Sequence, residues 1–132
     1  MALGIGDRLP SFSLEDQNGD LRTPASVQGR WLVLFFYPKD DTPGCTAEAC
    51  SFRDNAESFA ALDAEVWGIS GDDAVSHRRF ASRHNLTFPL LCDRNNALRR
   101  EMGVPKALGL LPGRVTYLSL IHISEPTRPL DI

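Results

Sequence analysis

The sequence predicts an α/β fold, and three features predict it. Trp31-Leu-Val-Leu-Phe-Phe-Tyr37 is a continuous apolar run, the pattern of a strand buried on both faces. Glu65-Val-Trp-Gly-Ile-Ser70 repeats that pattern. Stretches with helical periodicity follow each run, and this alternation implies a sheet joined by right-handed crossovers.

The elements follow in chain order. Residues 11–23 read as a hairpin, because Ser11 to Leu14 alternates and Asn18-Gly19 is a turn pair before a return strand over Asp20 to Thr23. After the first apolar run, a helix is predicted from Thr42 or Gly44 to about Ala61, with Phe52, Ala56, Phe59 and Ala60 as its apolar stripe. The strand at 65–70 leads to Asp72 or Asp73, a side chain suited to cap a helix that runs to about His84 with Val75, Phe80 and Ala81 inward. Phe88 to Leu91 is a short strand. Asn95 to Met102 is a short helix closed by Gly103. Val115 to Ile121 is rich in β-formers. Trp31 and Trp67 belong to the core.

Composition narrows the function classes. A chain of 132 residues with 42% hydrophobic and 23% charged residues makes one ordinary globular domain. A net charge of −3 gives no electrostatic reason to expect nucleic acid or an anionic membrane as partner. The local arginine clusters, Arg78, Arg79 and Arg83 and then Arg99 and Arg100, read as solvated helix faces. No apolar run is long enough to cross a membrane, and charges interrupt the first thirty residues where a secretory signal would lie. With three cysteines, an odd number, the expected setting is a reducing cytoplasm.

The chemistry concentrates in Tyr37-Pro-Lys-Asp-Asp-Thr-Pro-Gly-Cys-Thr-Ala-Glu-Ala-Cys50. Cys45 falls where a strand gives way to a helix N-terminus, and unpaired N–H groups there favour a thiolate. Such a cysteine in a βαβ context is the thioredoxin-like arrangement, although the spacing is C-x4-C and not C-x-x-C. Positions i and i+5 of a helix lie about 7.5 Å apart in rise and roughly 140° apart in rotation, so their Cα atoms are about 8–9 Å apart. A disulfide needs Cα atoms within about 7 Å. If Cys45 and Cys50 pair, the first turns of the helix must unwind. Pro38 and Pro43 stiffen the approach, Gly44 admits a close ligand, and the Thr42 hydroxyl can hydrogen-bond a thiolate and a bound oxygen. Glu48, one turn after Cys45, is either a residue that orients the first turn or a solvated glutamate.

The string F-Y-P-K-D-D-T-P-G-C-T-A-E-A-C-S-F-R-D closely resembles the active-site segment of peroxiredoxins of the Q type, the bacterioferritin comigratory proteins. The resemblance runs from Gly6 to about Tyr117. It implies a thioredoxin-like fold, a central mixed sheet with flanking helices, and it assigns roles by position. Cys45 is similar to the peroxidatic cysteine and Cys50 to the resolving cysteine. Pro38 and Thr42 match the substrate-site proline and threonine, and Arg114, in G-R-V-T-Y, matches the arginine that completes the site. The implied reaction reduces hydrogen peroxide or organic hydroperoxides through a Cys45 sulfenic acid and a Cys45–Cys50 disulfide, which thioredoxin or a similar dithiol recycles. The resemblance implies a monomer and requires neither metal nor organic cofactor. The alternatives are a thiol–disulfide oxidoreductase, which C-x4-C and Thr42 disfavour, and a redox sensor using the same thiols.

Other residues carry less. Cys92 reads as a core residue in a central strand that cannot travel to Cys45. His77 and His84 lie about 10 Å apart along one helix, too far for a single metal ion. Residues 118–132 depart from the family pattern, resemble translated sequencing-adapter sequence, and replace an expected C-terminal strand and helix; a divergent natural C-terminus is the alternative. Losing those elements is expected to expose sheet surface and weaken the fold.

Overall fold

Residues 31–36 form the strand around which the rest is built. The computed structural model describes residues 9–104, 106–107, 111–112, 115–120 and 128–129. A short hairpin, β1 (Leu14–Glu15) and β2 (Leu21–Arg22), precedes a single 3-10 turn at Pro24–Val27 and the strand β3 (Trp31–Phe36). Helix α1 (Pro43–Asp54) and the short α2 (Ala56–Ala61) lead to β4 (Ala64–Ser70), α3 (Ala74–His84) and β5 (Leu90–Cys92). A 3-10 turn, Arg94–Asn96, precedes α4 (Ala97–Met102); β6 (Lys106–Ala107) pairs with β7 (Leu111–Pro112), and β8 (Val115–Leu120) and β9 (Arg128–Pro129) follow.

The five-stranded sheet has the order β5-β4-β3-β8-β9. β3 runs parallel to β4 and antiparallel to β8, with Phe36 opposite both Ile69 and Val115, so the sheet is mixed as expected. Strand β8 continues through Leu120, and β9 pairs with Ser119 and Leu120, so residues beyond Tyr117 contribute backbone to the sheet.

Alternation along β3 builds two cores. Leu32, Leu34 and Phe36 pack with Trp67, Ile69, Leu91, Leu98 and Met102 on one face. Val33, Phe35 and Tyr37 pack with Cys45, Ala49, Phe80 and Leu90 on the other. A strand buried on both faces needs a continuous apolar run, which is what residues 31–37 supply. Where β4 crosses, Gly68 leaves room for Phe35: a Cβ there would lie 2.6 Å from the Phe35 ring and 2.9 Å from the Leu90 side chain. Gly68→Ala is therefore expected to cost about 1–3 kcal/mol through overpacking. Thermal unfolding checks this, and an unchanged midpoint would show that the ring has space to move.

Several expectations need correction. The predicted helix to Ala61 is interrupted at Asn55, whose φ of −104° and ψ of 16° leave the helical region, and none of the residues of α2 is fully buried. Ala60 is exposed, but Phe52 and Phe59 are half-buried against the second core as expected, and Cys45 and Ala49 join Phe52 on the face of α1 turned to the sheet, at i, i+4 and i+7. In α3, Val75 is 52% exposed, and His77 occupies the buried position beside Phe80. The cap of that helix is Asp73, whose carboxylate accepts from the Ser76 N–H at 2.8 Å. Helix α4 starts at Ala97 because Asn95 and Asn96 both sit at positive φ (57° and 56°), and Gly103 closes it at φ 69°. Strand β5, which carries Cys92, is an edge and not a central strand of the described sheet. Trp67 is fully buried, whereas Trp31 is only half-buried. Arg78, Arg79, Arg83 and Arg100 are exposed, but Arg99 is 5% exposed and belongs to the interior. None of the helices among the described residues is long and apolar enough to cross a membrane.

Candidate active site

The C-terminal end of β3 delivers the chain into Pro38–Thr42 and then directly into α1. Thr42 is the N-cap residue with an extended backbone, Pro43 is the first helical position, and Cys45 is the third. Proline suits that first position because its missing N–H would be unpaired there in any case. The Thr42 hydroxyl makes no capping bond; it donates to the Lys39 carbonyl at 2.9 Å. The amide groups of Gly44 and Cys45, orphaned by helix geometry, are thus left to whatever sits at the helix end. The expected contact of Thr42 with the thiolate is absent from this arrangement, because its proton is directed at Lys39.

Cys45 is 3% exposed and faces the sheet, while Cys50 is half-buried on another side of the helix. Both are free thiols, as is Cys92. Pro38 is half-buried at the head of the loop, and Glu48 keeps one fully buried carboxylate oxygen one turn after Cys45. Arg114 lies outside the described residues. Its successor Val115 opens β8 opposite Phe36, at the end of β3 that leads into the loop.

A buried polar network that sequence reasoning missed fixes the loop. Asp40 is 5% exposed, and its carboxylate accepts from the Tyr37 hydroxyl at 2.6 Å and the Ser76 hydroxyl at 2.8 Å. The same carboxylate lies 2.8 Å from Nδ1 of His77, whose Nε2 lies 2.9 Å from the Leu91 carbonyl. A carbonyl can only accept, so Nε2 carries a proton, and Nδ1 facing a carboxylate carries the second. Burial pushes His77 down, but the hydrogen bonds and negative charge of Asp40 and Cys92 outweigh it and raise the imidazole to about 10. Burial, with Asp40 beside it, raises Tyr37 well above the ordinary phenol range. The Asp40 N–H in turn donates to Asp72 at 2.8 Å. Between this anchor and the Thr42 cap, Asp41 turns the chain at φ 63°.

Asp40, Asp72 and His77 bring three ligand-type atoms within 4.8 Å of one another. Both ring nitrogens of His77 and the Asp40 carboxylate are engaged with protein partners, so the group works as a clamp between the loop and α3. The sequence signal was available. His77 falls three residues before Phe80 and so shares its inward face.

Arg99 reaches the same region from the opposite face of the sheet. Its guanidinium donates to the Tyr37 carbonyl at 3.0 Å and stands 5.7 Å from the centre of the Phe36 ring. Cys92 lines a groove with Phe12, Leu14 and Asp93 on the hairpin side, away from Cys45.

Known proteins share this sequence pattern and fold. Residues 5–119 match the AhpC/TSA family. The chloroplastic peroxiredoxin Q of Oryza sativa subsp. japonica is 51% identical over 114 residues, which cover 86% of this chain and 52% of that protein. The chain thus spans about half the length of the curated plant relatives it matches. The bacterioferritin comigratory protein of Xanthomonas campestris, described for alkyl peroxide reduction, superposes with a TM-score of 0.79 at 32% identity, covering 91% of this chain and 78% of that one. A PrxQ mutant of Xylella fastidiosa superposes with a TM-score of 0.84 at 28% identity, covering 100% and 89%. Sequence, thioredoxin-like sheet and a cysteine at the head of α1 together place the chain in the AhpC/TSA family, among relatives named peroxiredoxin Q.

Proposed function

We propose that the chain is a thiol peroxidase. The Cys45 thiolate attacks the terminal oxygen of a hydroperoxide in line, the O–O bond breaks, and water or an alcohol leaves once the departing oxygen is protonated. Cys45 becomes a sulfenic acid. The Cys50 thiolate then attacks that sulfur, the S–O bond breaks and the departing hydroxide takes up a proton to leave as water, and the resulting Cys45–Cys50 disulfide is reduced by an external dithiol such as thioredoxin. The observation that carries this reading is the position of Cys45, third in a helix whose cap side chain leaves the N-terminal amides open. Arg114 is assigned to hold and polarise the peroxide, and Pro38 to shield the site. Thr42 serves it by turning its hydroxyl from Lys39 to the bound oxygen. The alkyl peroxide reduction named for the Xanthomonas relative supports organic hydroperoxides, beside hydrogen peroxide, as substrates. A monomer in a reducing cytoplasm fits the chain's three free thiols, and the plant relatives are chloroplastic.

The geometry limits how the disulfide can form. The loop is clamped at Asp40, and the far half of α1 is held by Phe52 stacked on Phe35 at 4.6 Å and by Arg53 donating to the His84 carbonyl at 2.7 Å. Unwinding is therefore confined to the turns between Pro43 and Ser51, which carry both thiols. Cys50→Ser should let the Cys45 sulfenic acid accumulate, trapped by a dimedone adduct in intact-mass spectra, while turnover with thioredoxin falls at least tenfold. Unchanged turnover would remove Cys50 from the resolving role.

A further inference from the structure

We infer that Arg53 is a positioning residue for the resolving step: by pinning the far end of α1 to α3, it sets how long a Cys45 sulfenic acid waits for Cys50. The inference deepens the peroxidase reading and rests on Cys50 as the resolving thiol.

Both thiols lie within one helix, Pro43–Asp54. At positions i and i+5 their Cα atoms are about 8–9 Å apart, beyond the roughly 7 Å that a disulfide allows. The S–S bond can form, with the S–O bond breaking and hydroxide leaving as water once protonated, only after the intervening turns unwind. The free energy of that opening therefore enters the rate of resolution.

Arg53, in the last turn of α1, opposes the opening. Its Nη1 donates to the His84 carbonyl at 2.7 Å, while its Nε donates to Asp54 at 2.9 Å and fixes the plane of the guanidinium. His84 ends α3, and Asn85 beyond it turns left-handed at φ 53°. A carbonyl in the final turn has no partner within its own helix and carries the negative end of the dipole, so a cation is a fitting donor. Phe52, stacked on Phe35 with ring centres 4.6 Å apart, holds the same turn against the sheet.

The other end of the thiol-bearing segment is tied to the same corner. Asp41, just before the Thr42 cap, accepts from Arg83 at 3.0 Å and lies 3.7 Å from Nε2 of His84. Consecutive residues of α3 thus hold the chain before Cys45 and after Cys50. A segment pinned at both ends gains less conformational freedom on unwinding than one with a free end, so the pins act as a brake. They contribute unequally. Arg83 is 55% exposed, its pair with Asp41 is screened by solvent, and Asp40 holds the loop beside it. Arg53 is 31% exposed and bonds a helix-terminal carbonyl, so it is the stronger pin.

The test uses the full chain with Arg53→Met, which keeps the apolar stem, and Arg53→Lys, which can still donate to the carbonyl. After rapid mixing with one equivalent of hydrogen peroxide and acid quench, intact-mass spectra follow the sulfenic acid and its conversion to the disulfide. Arg53→Met is expected to form the sulfenic acid at the parent rate and to convert it roughly tenfold faster, the order set by one charge-assisted hydrogen bond. The peroxide needed to drive half of Cys45 to sulfinic acid should rise by the same factor, because a second peroxide competes with Cys50 for that sulfur. Lysine should fall between methionine and the parent. Hydrogen exchange of the reduced chain reads the opening without the chemistry: amides of residues 46–54 should exchange about tenfold faster in Arg53→Met, with those of β4 unchanged. If methionine does not fold, Arg53→Ala gives the same comparison. A folded neutral variant that converts at the parent rate overturns the inference. So does faster exchange spread equally over β4, which would make the effect a general loss of stability. A parent whose Cys45 ignores peroxide sinks the peroxidase reading, whereas unchanged exchange at 46–54 sinks the pin itself.

Discussion

Cys45→Ser is expected to lower peroxide consumption by roughly 10⁴-fold or more, because a serine hydroxyl is not ionised near neutral pH and the helix end has no other nucleophile to present. The loss should appear in both the first-turnover rate and steady-state turnover. Cys92→Ala, in the same assay, should leave consumption unchanged, since Cys92 lies in the edge strand β5 and lines a groove on the hairpin side. A Cys45→Ser chain that still consumed peroxide at the parent rate would move the chemistry to another residue. Intact-mass spectra after peroxide treatment provide the independent check, because the serine variant should gain no oxygen at residue 45.

The second large effect is on stability. Asp40→Ala removes the anion from a fully buried imidazolium and leaves the Tyr37 and Ser76 hydroxyls without their acceptor. Breaking a buried ion pair on one side costs about 3–5 kcal/mol, a large share of a small domain's stability. Removing both partners, as in Asp40→Leu with His77→Leu, should cost less than the sum of the single changes, since no uncompensated charge remains. The pair also sets a pH dependence. His77 is raised in the folded chain from 6.5 to about 10, so the folded state holds a proton that the unfolded state releases. Its contribution is complete below pH 6.5 and declines as pH rises towards 10. Denaturant unfolding from mildly acidic to alkaline pH should show that decline in the parent and lose it in the double variant. A parent stability that rose with pH across this window would contradict the imidazolium assignment.

The strands were legible because burial on both faces leaves an unbroken apolar run, and β3, β4 and β8 all fall within a residue of their expected ranges. The candidate catalytic segment was legible because cap, proline, glycine and cysteine are neighbours in sequence, so local rules fix their geometry. What could not be read were the groups that depend on tertiary burial. His77 sits three residues before Phe80, and Arg99 three before Met102; helical spacing puts each on a core-facing stripe, but a charged residue is by default assigned to solvent. Val75 shows the opposite error, an apolar residue taken as inward that the structure leaves exposed. The break at Asn55 was not legible because helical propensity continues through Ala56 to Ala61. The three polar residues that were missed converge on one segment: Asp40 and His77 hold the loop from one face of the sheet, and Arg99 holds the Tyr37 carbonyl just before it from the other.

The central claim is that Cys45 is an activated thiol built to react with hydroperoxides. Stopped-flow mixing of the reduced full chain with hydrogen peroxide, following the loss of the Cys45 thiol, tests it most directly. A rate orders of magnitude above that of free cysteine is expected, with the Cys45–Cys50 disulfide formed afterwards. Loss of the Cys45 thiol no faster than that of free cysteine would contradict the account and leave a slow sensor or an oxidoreductase in its place.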